Sequence, residues 1–272
     1  MAFFPPLATA SAPLPLSIVS VVLHQFEDGP SVPPSFTFGP GETVFVSFQV
    51  AGFQTQGQDK VANLEYRLEA VDAAGVRLVE PMAGKVHAEL APEDKDWKPT
   101  LRWDFALPPL ADSGSYKILM WVKDLVGGQE ARKETMFSVQ GRKVEASDTL
   151  VVRNLRFLRG EEDSEPLPVA SYRPGDTVWA RFDITGYKIG EKNLYQVEYD
   201  ISVLSPSGKA LFTQKNAAVE KEQPFYPKRY VPGILSLNLT PTIKPGEYTI
   251  VLSVRDGVGN QAAESRHSFR VE

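Results

Sequence analysis

The chain contains no cysteine and only three histidines, His24, His87 and His267. The first absence excludes disulfides, iron–sulfur clusters, thiolate zinc sites and cysteine nucleophiles. The second leaves little material for an imidazole metal centre or a nucleophile–histidine–acid triad. Positive charge is not in excess either: 29 Lys and Arg stand against 34 Asp and Glu, for a net charge of −5. No overall basic field is available to hold nucleic acid or anionic lipid. No stretch approaches the roughly 20 consecutive apolar residues of a membrane-crossing helix, so no membrane span is expected. There is no G-x-S-x-G elbow, no H-E-x-x-H pair and no Gly-rich phosphate or dinucleotide loop. The expectation is therefore a protein that is not an enzyme and takes no cofactor and no metal. What is present is 272 residues, 42% apolar, with 20 Gly and 22 Pro, the composition of a globular protein of one or two domains.

The chain starts with Ala2-Phe3-Phe4-Pro5-Pro6-Leu7 and passes into small residues, and Ala10-Ser11-Ala12 fits the A-x-A pattern left by signal peptidase. No basic segment precedes it and Pro5-Pro6 breaks the apolar part. Residues 1–13 are read as a signal-peptide remnant or a loose tail. That reading favours a periplasmic or extracellular location and leaves a cytoplasmic one open.

A repeat organises the rest. Phe38-Gly39-Pro40-Gly41-Glu42-Thr43-Val44 matches Tyr172-Arg173-Pro174-Gly175-Asp176-Thr177-Val178, and the match runs on through Phe48/Phe182, Gly52/Gly186 and Phe53/Tyr187. Farther on, Gly114-Ser115-Tyr116 and Asp124 match Gly246-Glu247-Tyr248 and Asp256, and Phe137 and Val139 match Phe269 and Val271. A register that drifts by so little means two copies of one fold. Domain boundaries follow at 14–141 and 150–272, with residues 142–149 as a polar linker.

Within each copy the apolar period is two, the mark of strands with one face buried. Tyr116, Ile118, Met120 and Val122 alternate with Lys117, Leu119, Trp121 and Lys123; Tyr248, Ile250, Leu252 and Val254 form the matching row. Val44, Val46 and Phe48, with Val178, Ala180 and Phe182, face inward on an early strand. Leu64, Tyr66 and Leu68, with Val197, Tyr199, Ile201 and Val203, do so on a middle one, and Trp103, Phe105 and Leu107 match Leu235, Leu237 and Leu239. Turn signals such as Gly39-Pro40-Gly41 and Gly257-Val258-Gly259-Asn260 separate the rows. No amphipathic helix stands out. The fold class is all-β: two tandem immunoglobulin-like (fibronectin III or macroglobulin-like) β-sandwiches from an internal duplication.

The segments Tyr172-Arg173-Pro174-Gly175-Asp176-Thr177-Val178, Ser205-Pro206-Ser207-Gly208-Lys209 and Ile243-Lys244-Pro245-Gly246-Glu247-Tyr248 resemble the order of signals in macroglobulin-type domains of the alpha-2-macroglobulin family. Val254-Arg255-Asp256-Gly257-Val258-Gly259-Asn260-Gln261 is similar to bacterial immunoglobulin-like repeats of surface proteins. The resemblance implies the sandwich fold and a place among accessory domains of a larger assembly. The family's thioester needs a Cys, so covalent protease capture is not carried over.

Candidate binding residues are the aromatics on outward phases: Phe45 and Trp121 in the first copy, Trp179 in the second, and Trp97 in a loop. They read as contacts for a protein partner or for self-association through outward strand faces, with polysaccharide stacking as the alternative. Asp124 and Asp256 end their inward rows before a Gly-rich turn. They read as turn-closing carboxylates that accept backbone N–H groups, with a cation as the rival reading. Glu42 and Asp176 read as solvated turn residues, and the run Glu161-Glu162-Asp163-Ser164-Glu165 as solvated loop surface. The function expected is a non-enzymatic, exported two-domain binding or structural module of a bacterial cell envelope. Carbohydrate binding and an accessory role beside a macroglobulin-like or envelope enzyme are the alternatives.

Overall fold

A computed structural model describes residues 14–94 and 96–272. The signal-like segment 1–13 lies outside the described residues. The chain divides into two compact units, Met1–Arg142 and Lys143–Glu272. No helix among the described residues is long and apolar enough to cross a membrane.

The first unit contains β1 (Ser17–His24), β2 (Thr37–Phe38), β3 (Thr43–Ala51), β4 (Thr55–Gln56), β5 (Val61–Val71), β6 (Met82–Glu89), β7 (Thr100–Ala106), β8 (Gly114–Asp124) and β9 (Glu130–Val139). One sheet runs β1-β3-β7, and the facing sheet runs β2-β9-β8-β5, with β4 and β6 both paired to β5. The second unit contains β10 (Val151–Leu158), β11 (Ser171–Tyr172), β12 (Thr177–Thr185), β13 (Tyr195–Leu204), β14 (Ala210–Glu222), β15 (Tyr230–Asn238), β16 (Gly246–Asp256) and β17 (Gln261–Val271). Its sheets run β10-β12-β15 and β11-β17-β16-β13-β14. Apart from β4, which has no counterpart in the second unit, the order of strands is the same in both units, and each is an all-β sandwich of immunoglobulin-like design. One short 3₁₀ turn, Glu191–Asn193, interrupts the second unit.

The rows of period two become the cores. Val44, Val46 and Phe48 on β3 and Ile118, Met120 and Val122 on β8 are buried, as are Val178, Ala180 and Phe182 on β12 and Ile250, Leu252 and Val254 on β16. Trp103, Phe105 and Leu107 are buried with them. Tyr66 departs from its row and stays half-buried, because its phenol lies over Gly84 of β6, where a Cβ would collide with it. At one end of each core an aromatic trio recurs: Phe137 lies 5.8 Å from Phe38 and 5.7 Å from Tyr116, and Phe269 lies 6.0 Å from Tyr172 and 5.7 Å from Tyr248. The Tyr116 hydroxyl donates to the Asp112 carbonyl at 2.9 Å and that of Tyr248 to the Lys244 carbonyl at 2.8 Å. This back-bond from a core tyrosine to the chain just upstream closes a corner of many immunoglobulin-like sandwiches.

Two glycines at matching positions are demanded by backbone approach. Gly52 (φ +78) and Gly186 (φ +80) adopt a left-handed conformation, and the carbonyl oxygens of Pro15 and Thr149 occupy the places where their Cβ atoms would go. The incoming chain before β1 and β10 crosses the end of β3 and β12 at these points.

Candidate functional site

The outward side of the larger sheet in the first unit carries an exposed, largely apolar depression, a shallow cavity of about 420 Å³ lined by Arg67, Glu69, Leu119, Trp121, Arg132 and Glu134 among others. Pairing register builds it. On β5, β8 and β9, Arg67 stands opposite Trp121 and Trp121 opposite Arg132; one step along, Glu69 stands opposite Leu119 and Leu119 opposite Glu134. Residues two apart on a strand share a face. An apolar floor of Leu119 and Trp121 is therefore rimmed on both sides by an arginine and a glutamate.

Local charges hold the rim. The Trp121 indole N–H donates to Glu130 Oε2 at 3.0 Å, and this bond, with Lys123 and Arg132 adding to it, keeps the Glu130 carboxyl below the usual carboxylate range. Arg67 Nε lies 2.7 Å from Glu69 Oε1 and Arg77 Nε 3.1 Å from Glu69 Oε2. Burial pushes the Glu69 carboxyl up, but Arg77 and Arg67 together outweigh it and leave it lowered. Lys117 Nζ lies 3.3 Å from Glu134. Each of these ions is partly solvated, so the pairs are worth little for stability and remain available to a partner.

Phe45 and Trp121 of the first unit do not share a surface. Trp121 points away from the core on the larger sheet, whereas Phe45 points away from it on β3 of the facing sheet, so the two look out from opposite sides of the sandwich. Phe45 lies between His24 and Asp104 in register. Trp97 precedes β7 and packs edge-on to Phe53 at 5.9 Å, beside a cavity of about 440 Å³ that also involves Leu14 and Leu90. Trp179, in the second unit, stands between Leu158 and Ser236 on its sheet and is half-buried.

Asp124 and Asp256 are buried at the same position of each unit and do the same work. Asp124 accepts the N–H of Gln54 at 2.8 Å and of Val126 at 2.9 Å. Asp256 accepts the N–H groups of Lys188, Val258 and Gly259, each at 2.9 Å, and the Gln261 amide at 3.2 Å. Gln129 Oε1 accepts the Leu16 N–H at 2.8 Å and Gln261 Oε1 the Leu150 N–H at 3.0 Å. Each carboxylate faces N–H donors, the reverse of a cation cage, and with its neighbouring glutamine ties three backbone segments together. Among the described residues no group of three or more His, Asp or Glu is placed to hold a metal ion. Glu42 and Asp176, read as merely solvated, instead close their turns by accepting the Gly39 and Arg173 N–H groups at 2.8 Å.

The second unit has two polar clusters that sequence reasoning missed. Arg255 donates from Nε to Glu198 at 2.6 Å and from both terminal nitrogens to Asp200 at 2.7 and 2.9 Å. That fork draws the Asp200 carboxyl down to about 2. Lys228 Nζ donates to Glu220 at 2.7 Å and to the Tyr195 hydroxyl at 2.9 Å, and that hydroxyl donates to Glu222 at 2.7 Å. Burial, with the carboxylates of Glu222 and Glu220, pushes the Tyr195 phenol far up. The cluster fastens the β14–β15 connection to β13. His267, two residues from its partner Ser265 at 2.5 Å, has its imidazole pKa lowered by burial.

Sequence reasoning placed Trp121 outward but missed Arg67, Glu69, Arg132 and Glu134, because the partners across a sheet follow from register. The one signal was Leu119 and Trp121 standing together in an otherwise charged phase.

No family model matches the chain, and no curated protein matches it in sequence. Solved structures with a similar course of chain include the C-terminal domain of the Streptococcus pyogenes antigen I/II-family protein AspA, at 10% identity and a TM-score of 0.32, covering 94% of this chain and 99% of that one. The C-terminal domain of the Streptococcus agalactiae antigen I/II polypeptide BspA is similar at 10% identity and a TM-score of 0.30, over 95% of this chain and 100% of that one. Escherichia coli alpha-2-macroglobulin is similar at 8% identity and a TM-score of 0.30, over 88% of this chain and 16% of that one. Likeness at this level carries no inference about partner, activity or location. What the chain itself displays is an all-β structure of immunoglobulin-like sandwiches.

Proposed function

We propose that this chain is a non-enzymatic contact module of a bacterial cell envelope, made of two sandwiches that arose by duplication, and that it acts by presenting an outer sheet face to a protein. The observation that carries the reading is Trp121, set beside Leu119 on an open sheet face with an arginine directly across on either side. Trp and Arg are the residue types that concentrate binding energy at protein contacts, and an apolar floor with a charged rim is the usual anatomy of such contacts. Export is supported by the A-x-A pattern at Ala10-Ser11-Ala12, and duplication by the recurrence of strand order and of the Asp–Gln latch.

The test is retention of envelope proteins on the immobilised chain, compared with Trp121→Ala and Trp179→Ala. Loss with the first and not the second supports the reading. Retention of cell-wall polysaccharide that Trp121→Ala abolishes, with no protein retained, replaces the protein partner with a glycan. Steady turnover of any substrate removed by a point substitution refutes the non-enzymatic part.

A further inference from the structure

We propose that the Leu119–Trp121 face is self-complementary and that its occupant is a second copy of this chain, docked about a two-fold axis that crosses β8 at the level of Met120. This rests on the contact-module reading and names its partner. Charge placement selects this occupant. A two-fold axis lying between the facing sheets and running across their strands sets β5 over β5, β8 over β8 and β9 over β9 of the partner copy, antiparallel. The row Arg67–Trp121–Arg132 then falls on the row Glu69–Leu119–Glu134 of the other copy, and the reverse. Arg67 meets Glu69, Arg132 meets Glu134 and Trp121 meets Leu119, each twice, as an isologous contact requires. Turning the axis along the strands would instead place Arg67 over Arg132, so the charges select one orientation.

The flanking rows tolerate this arrangement. Lys123 falls opposite Lys117, but Lys123 is held 3.7 Å from Glu130 and Lys117 3.3 Å from Glu134, so each brings its own counter-charge. Met136, 58% exposed, comes to lie opposite Glu130 and extends the apolar area. The same register in the second unit reads Asp200–Ser253–Glu264 and Ser202–Val251–Arg266. It lacks the aromatic anchor, and the same axis sets Asp200 over Ser202 and leaves Glu264 over Arg266 as its one match of unlike charges. The second unit thus serves as a control within the molecule.

Three strands and four rows cover roughly 400 Å² of sheet face per copy at ordinary strand spacings. That places the contact among small, transient interfaces, and dissociation in the micromolar range or weaker is expected.

Sedimentation velocity of the full chain from about 10 µM to about 1 mM, the range in which an interface of this size assembles, tests the proposal. The parent protein is expected to pass from monomer to dimer. Arg132→Glu alone sets Glu against Glu134, and Glu134→Arg alone sets Arg against Arg132, so each is expected to remain monomeric. An equimolar mixture of the two variants restores both unlike pairs and is expected to dimerise as the parent does. Trp121→Ala should weaken the dimer at least tenfold, and Glu264→Arg should leave it unchanged. A parent that stays monomeric throughout, single variants that dimerise normally, a mixture that stays monomeric, or a dimer lost with Glu264→Arg would each overturn it. A monomeric parent that still retains an envelope protein through Trp121 would leave the contact-module reading standing.

Discussion

Asp124 is fully buried, and both of its oxygens are engaged by backbone N–H groups, those of Gln54 at 2.8 Å and Val126 at 2.9 Å. Asp124→Ala leaves both donors without an acceptor inside the protein. Hydrogen bonds to a charged group contribute about 1.5–3 kcal/mol each, and a stranded buried donor costs about 1–3 kcal/mol. Water entering the vacated space recovers part, so a loss of about 3 kcal/mol is expected. Asp256→Ala strands three backbone N–H groups and the Gln261 amide, and a loss of about 4 kcal/mol is expected, near the upper end for single substitutions. Asp124→Asn keeps the shape but points an NH₂ at a backbone N–H, and should still cost about 2 kcal/mol. For a unit of this size 1 kcal/mol corresponds to about 4 °C, so Asp124→Ala should lower the first unit's melting temperature by about 12 °C. Calorimetry and urea unfolding monitor the effect. Trp97, Trp103 and Trp121 report on the first unit and Trp179 on the second, so tryptophan fluorescence set beside far-UV circular dichroism separates the two. If Asp124→Asn unfolds within about 0.5 kcal/mol of the parent, a change typical of an unconstrained surface site, the carboxylate is not what holds these loops. If Asp124→Ala and Asp256→Ala shift both transitions equally, the units do not unfold separately and the accounting by unit is wrong.

Gly52→Ala meets both a left-handed φ and the Pro15 carbonyl, so it should cost well over 2 kcal/mol in urea unfolding, whereas Gly41→Ala, with a similar φ and open space around it, should cost about 1 kcal/mol. Equal costs would show that the carbonyl yields easily. Because the folded Asp200 carboxyl is drawn from 3.8 to about 2, its contribution is present above the unfolded value and is lost as pH falls through the folded one. Stability of the second unit should therefore drop between about pH 4 and pH 2, and Asp200→Asn should flatten that part of the profile; an unchanged profile counts against the Arg255 clamp. Lys228→Met leaves Glu220 and Glu222 beside Tyr195 without a cation and should destabilise the second unit by about 1–2 kcal/mol, with Glu220→Gln recovering part of the loss in the double variant.

How much was legible follows from where each strand lies. β3, β8, β12 and β16 pack one face on a core, and their alternation could be read directly. β1 and β10 could not, because a bulge with Ser20 at φ +51 and Asn154 at φ +53 shifts the register and breaks the alternation in mid-strand. β6 and β14 lie at sheet edges with little cover: Leu211, Phe212 and Val219 of β14 are all exposed. β14 buries no continuous face, so no period of two is imposed on its residues, whereas β6 keeps an alternation of half-buried and exposed positions. The Asp124 and Asp256 turns were legible because a carboxylate ahead of a Gly-rich turn has a local role. Their glutamine partners were not, since Gln129 reaches Leu16 at the other end of its unit.

The sequence by itself determined that the chain is all-β, which residues fill the cores, and that Trp121 points outward, because burial on a pleated strand is encoded locally, every second residue. Only the tertiary structure decided what Trp121 stands beside. Arg67 lies far from it along the chain and Arg132 across the β8–β9 hairpin, and both reach it through the pairing of β5 and β9 with β8; a shift of one residue in either pairing would have replaced the arginine on that side. The same holds for the separation of Phe45 from Trp121. Both are outward by phase, but the sheet to which a strand belongs is set by long-range pairing, and that assignment sent the two rings to opposite faces.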